Sequence, residues 1–489
     1  MTYTEKQIRL FSVFFSLFLS FFAFVTDDII NRDGILYINM AQAYLDGGLA
    51  ATSQYFDWPF FSILIAYLHK MTPFSLESSA YLLNGLLFAL LVNVFIMISN
   101  KILPNTRQLT IAALLILGFG ILNEYRDFII RDAGYWAFCS LMLYRFMIFV
   151  EKPTLSNATI WQITAVIAVL FRIEGSVIVL GLPLYLFFIK PSNQALKQYF
   201  QLNYLLITGL VFASIISSNP LNIGEASGVL SSNSYLFNYE SYLTTLNQNM
   251  QVMETQILNQ FSENYSGLIL ISGLLMMLVY ELLIEGISLI YLGLYVTSWW
   301  QKPSTQHTPY ARLLFYFIVI NIAILTLFVL VRYFISTRYC MMTLLGLLLL
   351  MLPRVCAMIE SLWLKRNKTL LSVVGLVLFI SLADSMTSSR SKSYIKNTAV
   401  WASANLPEDA NVLTDDQFIE YYFSTPNTSH NVTRNNITTY LNYDYLIVVE
   451  KRKDKELKEA LTMMNVQPVF NLADSRGNKA SVYKVLSSD

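Results

Sequence analysis

The sequence predicts an α-helical polytopic membrane protein of about eleven transmembrane helices with a small C-terminal α/β extracytoplasmic domain. Three observations predict it. Hydrophobic residues are 55% of the 489 and charged residues only 13%, where a soluble domain carries roughly 25% charge. Apolar runs near the ~20 residues that cross a bilayer recur along residues 1–384. From 385 to 489 the pattern changes, and short strand-like runs alternate with an amphipathic helix. The net charge of +1 offers no field for nucleic acid.

Taken in order, Lys6 and Arg9 precede a Phe/Leu-rich run that ends near Val25 in Thr-Asp-Asp. No small-residue cleavage site follows, so this run is a retained first helix. The further candidate spans are Ala80–Ser99, Leu109–Leu122, Gly134–Val150, Ile160–Phe171, Gly175–Ile189, Leu202–Ile216, Gly267–Val296, Leu313–Val331, Tyr339–Cys356 and Leu370–Leu382. The apolar stretch Trp58–Met71, at ~14 residues, is short for a span and reads as an interfacial or re-entrant helix.

Lys and Arg in short loops orient the chain. With a cytoplasmic N-terminus, the inner loops carry Lys101 and Arg107, then Lys152, then Lys190 and Lys197, then Lys302 and Arg312, and finally Arg354, Lys365, Arg366 and Lys368. The first outer loop (26–79) is then long, and the tail lies outside. The expected location is the cell inner (plasma) membrane. A second polar outer loop, Ser217–Ser266, holds an amphipathic stretch around Tyr242–Phe261. In the tail, Asn411–Asp416, Tyr445–Glu450 and Ala480–Leu486 read as strands, and Gln417–Phe423 and Lys453–Met464 as helices. Cys139, Cys340 and Cys356 sit in or beside apolar runs and form no CxxC pattern. His69, His307 and His430 are too scattered for a His-based metal site.

With this orientation the outer turns hold charges that topology does not require. The first outer loop has Arg32, Asp33 and Asp57, with Tyr37 following Asp33 at helical spacing. YRDFIIRDAGYW brings Arg126, Asp127, Arg131 and Asp132. FRIEGSV brings Arg172 and Glu174, and RYFISTRYC brings Arg332 and Arg338. Singly these read as ion pairs at helix ends, Arg172 with Glu174 or Arg131 with Asp132. As a set they fit a phosphate-bearing lipid ligand, because Arg grips phosphate bidentately and stays charged in low dielectric. A carboxylate where a membrane helix meets water is costly unless it has a role or a partner.

One chemistry needs all of this. A sugar joined through phosphate to a membrane lipid can pass to a hydroxyl if a base takes the acceptor proton and cations hold the departing phosphate. Attack from the face opposite the leaving group inverts the anomeric centre. Asp33 is the candidate base, and Arg172, Arg332 and Arg338 are candidate phosphate clamps, with Arg131 beside them. Arg32, Tyr37, Asp57 and Glu174 are candidates to position substrate.

RDGILYINMAQAYLDGG with FDWPFF resembles the first outer loop of GT-C glycosyltransferases, in the bacterial group related to protein O-mannosyltransferases and the lipid A aminoarabinose transferase. FRIEGSVIVLGLPL is similar to their R-x-E-G segment, STRYCMMTLLGLLLL to their late R-Y segment, and YRDFIIRDAGYW to their second acidic loop. The resemblance implies a polyprenyl-phosphate-linked sugar donor and a glycan, lipid or protein hydroxyl acceptor. It makes Asp33 the match to the catalytic aspartate and Asp132 the match to the second acidic position, with Arg338 and Tyr339 near the carrier lipid. Gly34 stands where many members carry another acid, so no metal and no cofactor is expected, although a divalent ion is left open. Two other classes remain beside this one. A lipid-linked glycan flippase or transporter would share the basic rim but wants ionisable groups at mid-membrane or internal repeats. A glycan polymerase or ligase would differ mainly in its acceptor.

Overall fold

Helix ends are set by residues that satisfy the free backbone groups of the first turn. Ser75 accepts from the Ser78 N–H, Asn105 from Gln108 and Thr154 from Asn157, opening helices at 76, 106 and 155. Tyr333, in the left-handed region at φ 56°, ends the helix that closes at Arg332. The computed structural model describes residues 3–217, 239–301, 310–387, 392–423 and 431–486. Lys302, His307, His430 and residues 218–238 of the second outer loop lie outside the described residues.

The helices in order are α1 (Glu5–Thr26), α2 (Arg32–Thr52), α3 (Phe60–Met71), α4 (Leu76–Ile102), α5 (Thr106–Leu117), α6 (Gly120–Asn123), α7 (Asp132–Glu151), α8 (Leu155–Phe171), α9 (Gly175–Gly181), α10 (Leu186–Ile189), α11 (Ser192–Ser217), α12 (Tyr239–Val252), α13 (Ser266–Tyr280), α14 (Ser288–Gln301), α15 (Ala311–Arg332), α16 (Thr337–Leu364) and α17 (Lys368–Thr387). Among the described residues, seven segments are long and apolar enough to cross a membrane: Glu5–Thr26, Leu76–Ile102, Asp132–Glu151, Glu263–Gly286, Ala311–Arg332, Thr337–Leu364 and Lys368–Met386. The protein is a multi-pass membrane protein. Shorter apolar helices cover Phe60–Met71, Thr106–Leu117, Leu155–Phe171 and Gly175–Ile189.

Three expected spans are divided, the first being Gly175–Ile189, which runs as α9, a 3₁₀ stretch at Leu182–Tyr185 and α10. Leu109–Leu122 breaks at Gly118, which caps α5 before α6 begins. Gly267–Val296 passes through a π-helical turn at Glu281–Gly286 and then Ser288, whose φ is 63°. A wide turn and a left-handed residue interrupt the regular ladder, so the run does not continue as one straight rod. Leu202–Ile216 is the later part of α11. Helix α3, at 12 residues, rises ~18 Å, less than the ~30 Å of hydrocarbon in a bilayer.

The chain separates into two units. The first comprises 1–22, 40–126 and 130–387; the second comprises 23–39, 127–129 and 388–489. Residues 23–39 and 127–129, within the 1–384 expected as the membrane part, group with the second unit. In the first unit α7 packs closely along α8, and a Cβ on Gly134 would overlap the Phe171 ring. Arg126 is buried at 1% exposure, with its Nε donating to Asn123 Oδ1 and its Nη1 to Ser20 Oγ and the Ser16 carbonyl. Its other face rests on the Phe88 ring at 4.9 Å. Burial among neutral acceptors pulls its pKa down to about 9.

The second unit holds a five-stranded sheet of order β2-β1-β3-β5-β4, with β1 (Asn411–Thr414), β2 (Asn431–Arg434), β3 (Tyr445–Glu450), β4 (Val466–Ala473) and β5 (Lys479–Val485). β1 pairs in parallel with β2 and β3, and β5 pairs antiparallel with β3 and β4. Helices α18 (Ser393–Asn405), α19 (Gln417–Phe423) and α20 (Lys455–Met463) accompany it. Leu413, Leu446, Val448 and Leu461 form its small core. α19 also fixes the segment ahead of α2: Tyr422 Oη accepts from the Ile30 N–H at 2.9 Å, and Arg32 lies over the Phe418 ring at 5.8 Å. Asn31 pairs with the Ile129 backbone through both amide atoms, at 2.8 and 3.3 Å.

Candidate active site

Asp132 is the first residue of α7, where the helix dipole favours an anion. Arg172 follows the last residue of α8 in extended conformation, φ −150° and ψ 131°. That conformation stops the helix and turns the side chain back toward α7. Glu174 immediately precedes α9, and Arg338 is the second residue of α16. Three helix starts and one helix end therefore deliver four charged groups. Gly134 makes this close approach feasible, because any side chain there would drive the Phe171 ring, and the neighbouring Arg172, away from α7.

The carboxylate of Asp132 is only 3% exposed. Arg172 Nη1 donates to its Oδ1, and Arg338 Nε lies 3.8 Å from its Oδ2. Arg172 also forks onto Glu174, with Nη2 at 2.6 Å from Oε1 and Nε at 3.3 Å from Oε2. The Tyr339 ring lies between the two guanidiniums, 4.8 Å from Arg172 and 5.1 Å from Arg338, and its hydroxyl accepts from Arg338 Nη2 at 3.0 Å. Burial would raise the Glu174 pKa, but the Arg172 charge and hydrogen bonds outweigh it and hold the carboxyl at about 2. Arg131 adds to that lowering. For Arg172, burial would favour loss of the proton, yet Asp132 and Glu174 hold it well above the ordinary value.

These groups line a cleft whose other wall is the α15 face of Asn321, Ile324, Leu325 and Phe328, with Trp136 and Met342 opposite. The cavity of about 30 Å³ has room for roughly two water-sized groups. Counting Arg131, three guanidiniums meet two carboxylates, and the surplus of one positive charge suits a singly charged anion such as a phosphodiester.

The structure brings Asp132, Arg172, Glu174, Arg338 and Tyr339 together. Arg131 stands at the edge with its guanidinium over the Phe56 ring at 4.7 Å. Asp57 is exposed. Arg332 is exposed at the end of α15 and does not line the cleft. Asp33, Arg32 and Tyr37 belong to the second unit. There Asp33 occupies the first turn of α2, again at a helix N-terminus. Gly34 cannot be exchanged for an acid without strain, since a Cβ would lie 2.6 Å from Ile30 Cγ1 and 2.8 Å from Asn31 Oδ1. Among the described residues, no group of three His, Cys, Asp or Glu is arranged to hold a metal ion. Sequence reasoning missed the contributions of Tyr135, Trp136 and Asn321. Of these only Asn321, a carboxamide in the middle of an apolar span, left a signal.

No family model and no curated protein matches this sequence. Among solved structures, the chain is similar to the crystal structure of the Archaeoglobus fulgidus oligosaccharyltransferase in complex with Zn and sulfate. The TM-score is 0.51 at 10% identity, over 96% of this chain and 72% of that one. At that identity the likeness is one of fold alone.

Two expectations follow for the cluster. Gly134→Val should destabilise the protein by about 1–3 kcal/mol through overpacking, read as a lower melting temperature in nanodiscs; an unchanged melting point would refute the tight α7–α8 contact. Glu174 drops from an ordinary value of 4.5 to about 2 on folding. Its stabilisation is therefore complete above pH 4.5 and is lost as pH falls toward 2. Wild type should lose stability across that interval more steeply than Glu174→Gln, and parallel melting curves would contradict the pairing with Arg172.

Proposed function

We propose that the protein is an inverting glycosyltransferase that moves a sugar from a polyprenyl-phosphate carrier to a hydroxyl on a glycan, lipid or protein acceptor. One observation carries this reading: Asp132 is buried between two guanidiniums in a mostly apolar cleft, and the fold's likeness to an oligosaccharyltransferase supports it. Such a cleft suits a molecule that is an anion at one end and hydrocarbon at the other.

The residues divide the work by how tightly they are already held. Arg172 spends three nitrogens on two carboxylates, so its part is to fix Asp132 and Glu174 in place. Arg338 is the clamp for the carrier phosphate, because its contact with Asp132 is loose at 3.8 Å and its side chain is 22% exposed. Tyr339 orients that guanidinium through its hydroxyl, and Arg131 adds positive charge at the rim. In the reaction the acceptor hydroxyl loses its proton to a carboxylate, and its oxygen attacks the anomeric carbon. The carbon–oxygen bond to phosphate breaks with both electrons going to the phosphate, whose growing charge the guanidiniums stabilise. Asp33 is the proposed base, and Asp132 holds the clamp in register. Arg32, Tyr37 and Asp57 are proposed to position substrate, and Arg332 to add a cation near the lipid headgroup. A divalent metal has no proposed part.

The basic loops support a cytoplasmic N-terminus. The acceptor side is then the outer face of the inner (plasma) membrane, with the 388–489 domain extracytoplasmic. A flippase is disfavoured by the geometry of the charged groups, which gather at helix ends and not along a path through the span centres.

Asp33→Asn should insert and fold normally but lose about 10²- to 10⁴-fold in transfer rate, the usual share of a general base; near-wild-type turnover of labelled polyprenyl-phosphate sugar would remove the assignment. Arg338→Ala should weaken donor binding about 10- to 100-fold, from the loss of charge-assisted hydrogen bonds. An unchanged donor affinity in that variant would rule out the clamp.

A further inference from the structure

We infer that Tyr422, on α19 of the C-terminal domain, is a positioning residue for the base: acting through Ile30, it sets where the Asp33 carboxylate stands against the acceptor hydroxyl. The inference rests on the proposed role of Asp33 and deepens it.

The contacts that link Tyr422 to Asp33 all lie inside the second unit. Ile30 is 1% exposed, and its N–H donates to Tyr422 Oη at 2.9 Å. The Ile30 side chain lies against the first turn of α2. A Cβ on Gly34 would come within 2.6 Å of Ile30 Cγ1 and 2.9 Å of Ile30 Cδ1, so the Gly34 backbone rests directly on Ile30. Gly34 is bonded to Asp33. The hydroxyl that holds the Ile30 backbone therefore holds the support on which the Asp33 turn sits. Tyr422 has little freedom of its own. It is buried, the Lys396 ammonium lies over its ring at 4.8 Å, and the Tyr421 ring meets it edge-on at 5.1 Å.

Asn31 anchors the same stretch from another side. Its carbonyl accepts from the Ile35 N–H at 3.1 Å, and its side chain pairs with the Ile129 backbone. With Asn31 holding and Tyr422 Oη absent, the backbone ahead of α2 can pivot about Asn31. A buried N–H that loses its acceptor must find another, so Ile30 shifts and the turn resting on it shifts too. A general base works only within hydrogen-bond reach of the proton it takes. A misplacement of about 1 Å can cost ~100-fold in rate. A hydroxyl that never meets substrate can thus govern turnover.

The test uses the full-length protein in nanodiscs and, from a panel of labelled undecaprenyl-phosphate hexoses and pentoses, the donor that wild type turns over fastest. Tyr422→Phe keeps the ring and removes the acceptor. It should lower kcat about 10- to 100-fold and leave the KM for the donor unchanged, because Arg338 is untouched. Placed in Asp33→Asn, the same substitution should change the residual rate by less than about twofold, since no base is left to misplace. Ile30→Ala opens the contact with Gly34 from the other end. It should lower kcat in the same way and add little to Tyr422→Phe. An unchanged kcat in Tyr422→Phe would overturn the inference. So would an equal loss in the wild-type and Asp33→Asn backgrounds, which marks a general effect on folding. In either case a large loss in Asp33→Asn alone leaves the base assignment standing. If Asp33→Asn turns over like wild type, the base assignment falls and the inference falls with it.

Discussion

The membrane unit is organised around one carboxylate that is unstable where it lies unless its partners are present. Removing Asp132 from water is costly, and the attraction of neighbouring guanidiniums offsets that cost only when geometry and hydrogen bonds are good. Arg172 meets the requirement because the end of α8 is pulled against α7 at Gly134. Glu174 then saturates the other side of Arg172. The result is a rigid pair of helix ends with one looser cation, Arg338, on the facing helix. A rigid acid and base array with one adaptable member can bind an anion without rebuilding itself.

Charge balance and shape both favour the proposed ligand class. A surplus of one positive charge answers a single negative charge, and the apolar α15 face answers a chain. A soluble nucleotide sugar carries more charge and no hydrocarbon. The second unit has its own logic. Tyr422 and Phe418 on α19 hold the residues that lead into α2, so the C-terminal domain orders the segment carrying Asp33. An added domain of this kind has a physical reason to exist, since a short loop before a helix loses much conformational entropy when it is held in one shape.

Much of this was legible in the residues. The membrane class follows from apolar run length, and several tail elements follow from period and caps: Gln417–Phe423 and Tyr445–Glu450 form as expected. Local charge patterns also carried over, since Arg172 and Glu174 are neighbours in sequence and pair in space. What was missed depends on packing. β4 contains Pro468, which argues against a strand, yet it is tolerated at the sheet edge beside an irregularity at Pro468/Phe470. The breaks at Gly118 and Ser288 interrupt runs whose hydropathy is continuous. The double pairing of Arg172, which separates a positioning role from a clamping one, needs α7 and α8 side by side. Asn321 was one amide in an apolar span until the face it shares with Ile324 and Phe328 was known.

The most direct test of the account is a structure of the protein with undecaprenyl phosphate bound in a lipid nanodisc. The account predicts phosphate density within hydrogen-bond reach of Arg338, with the fork between Arg172 and Glu174 intact. Phosphate bound away from this cleft, or bound only after the Arg172–Glu174 pair has separated, would contradict it.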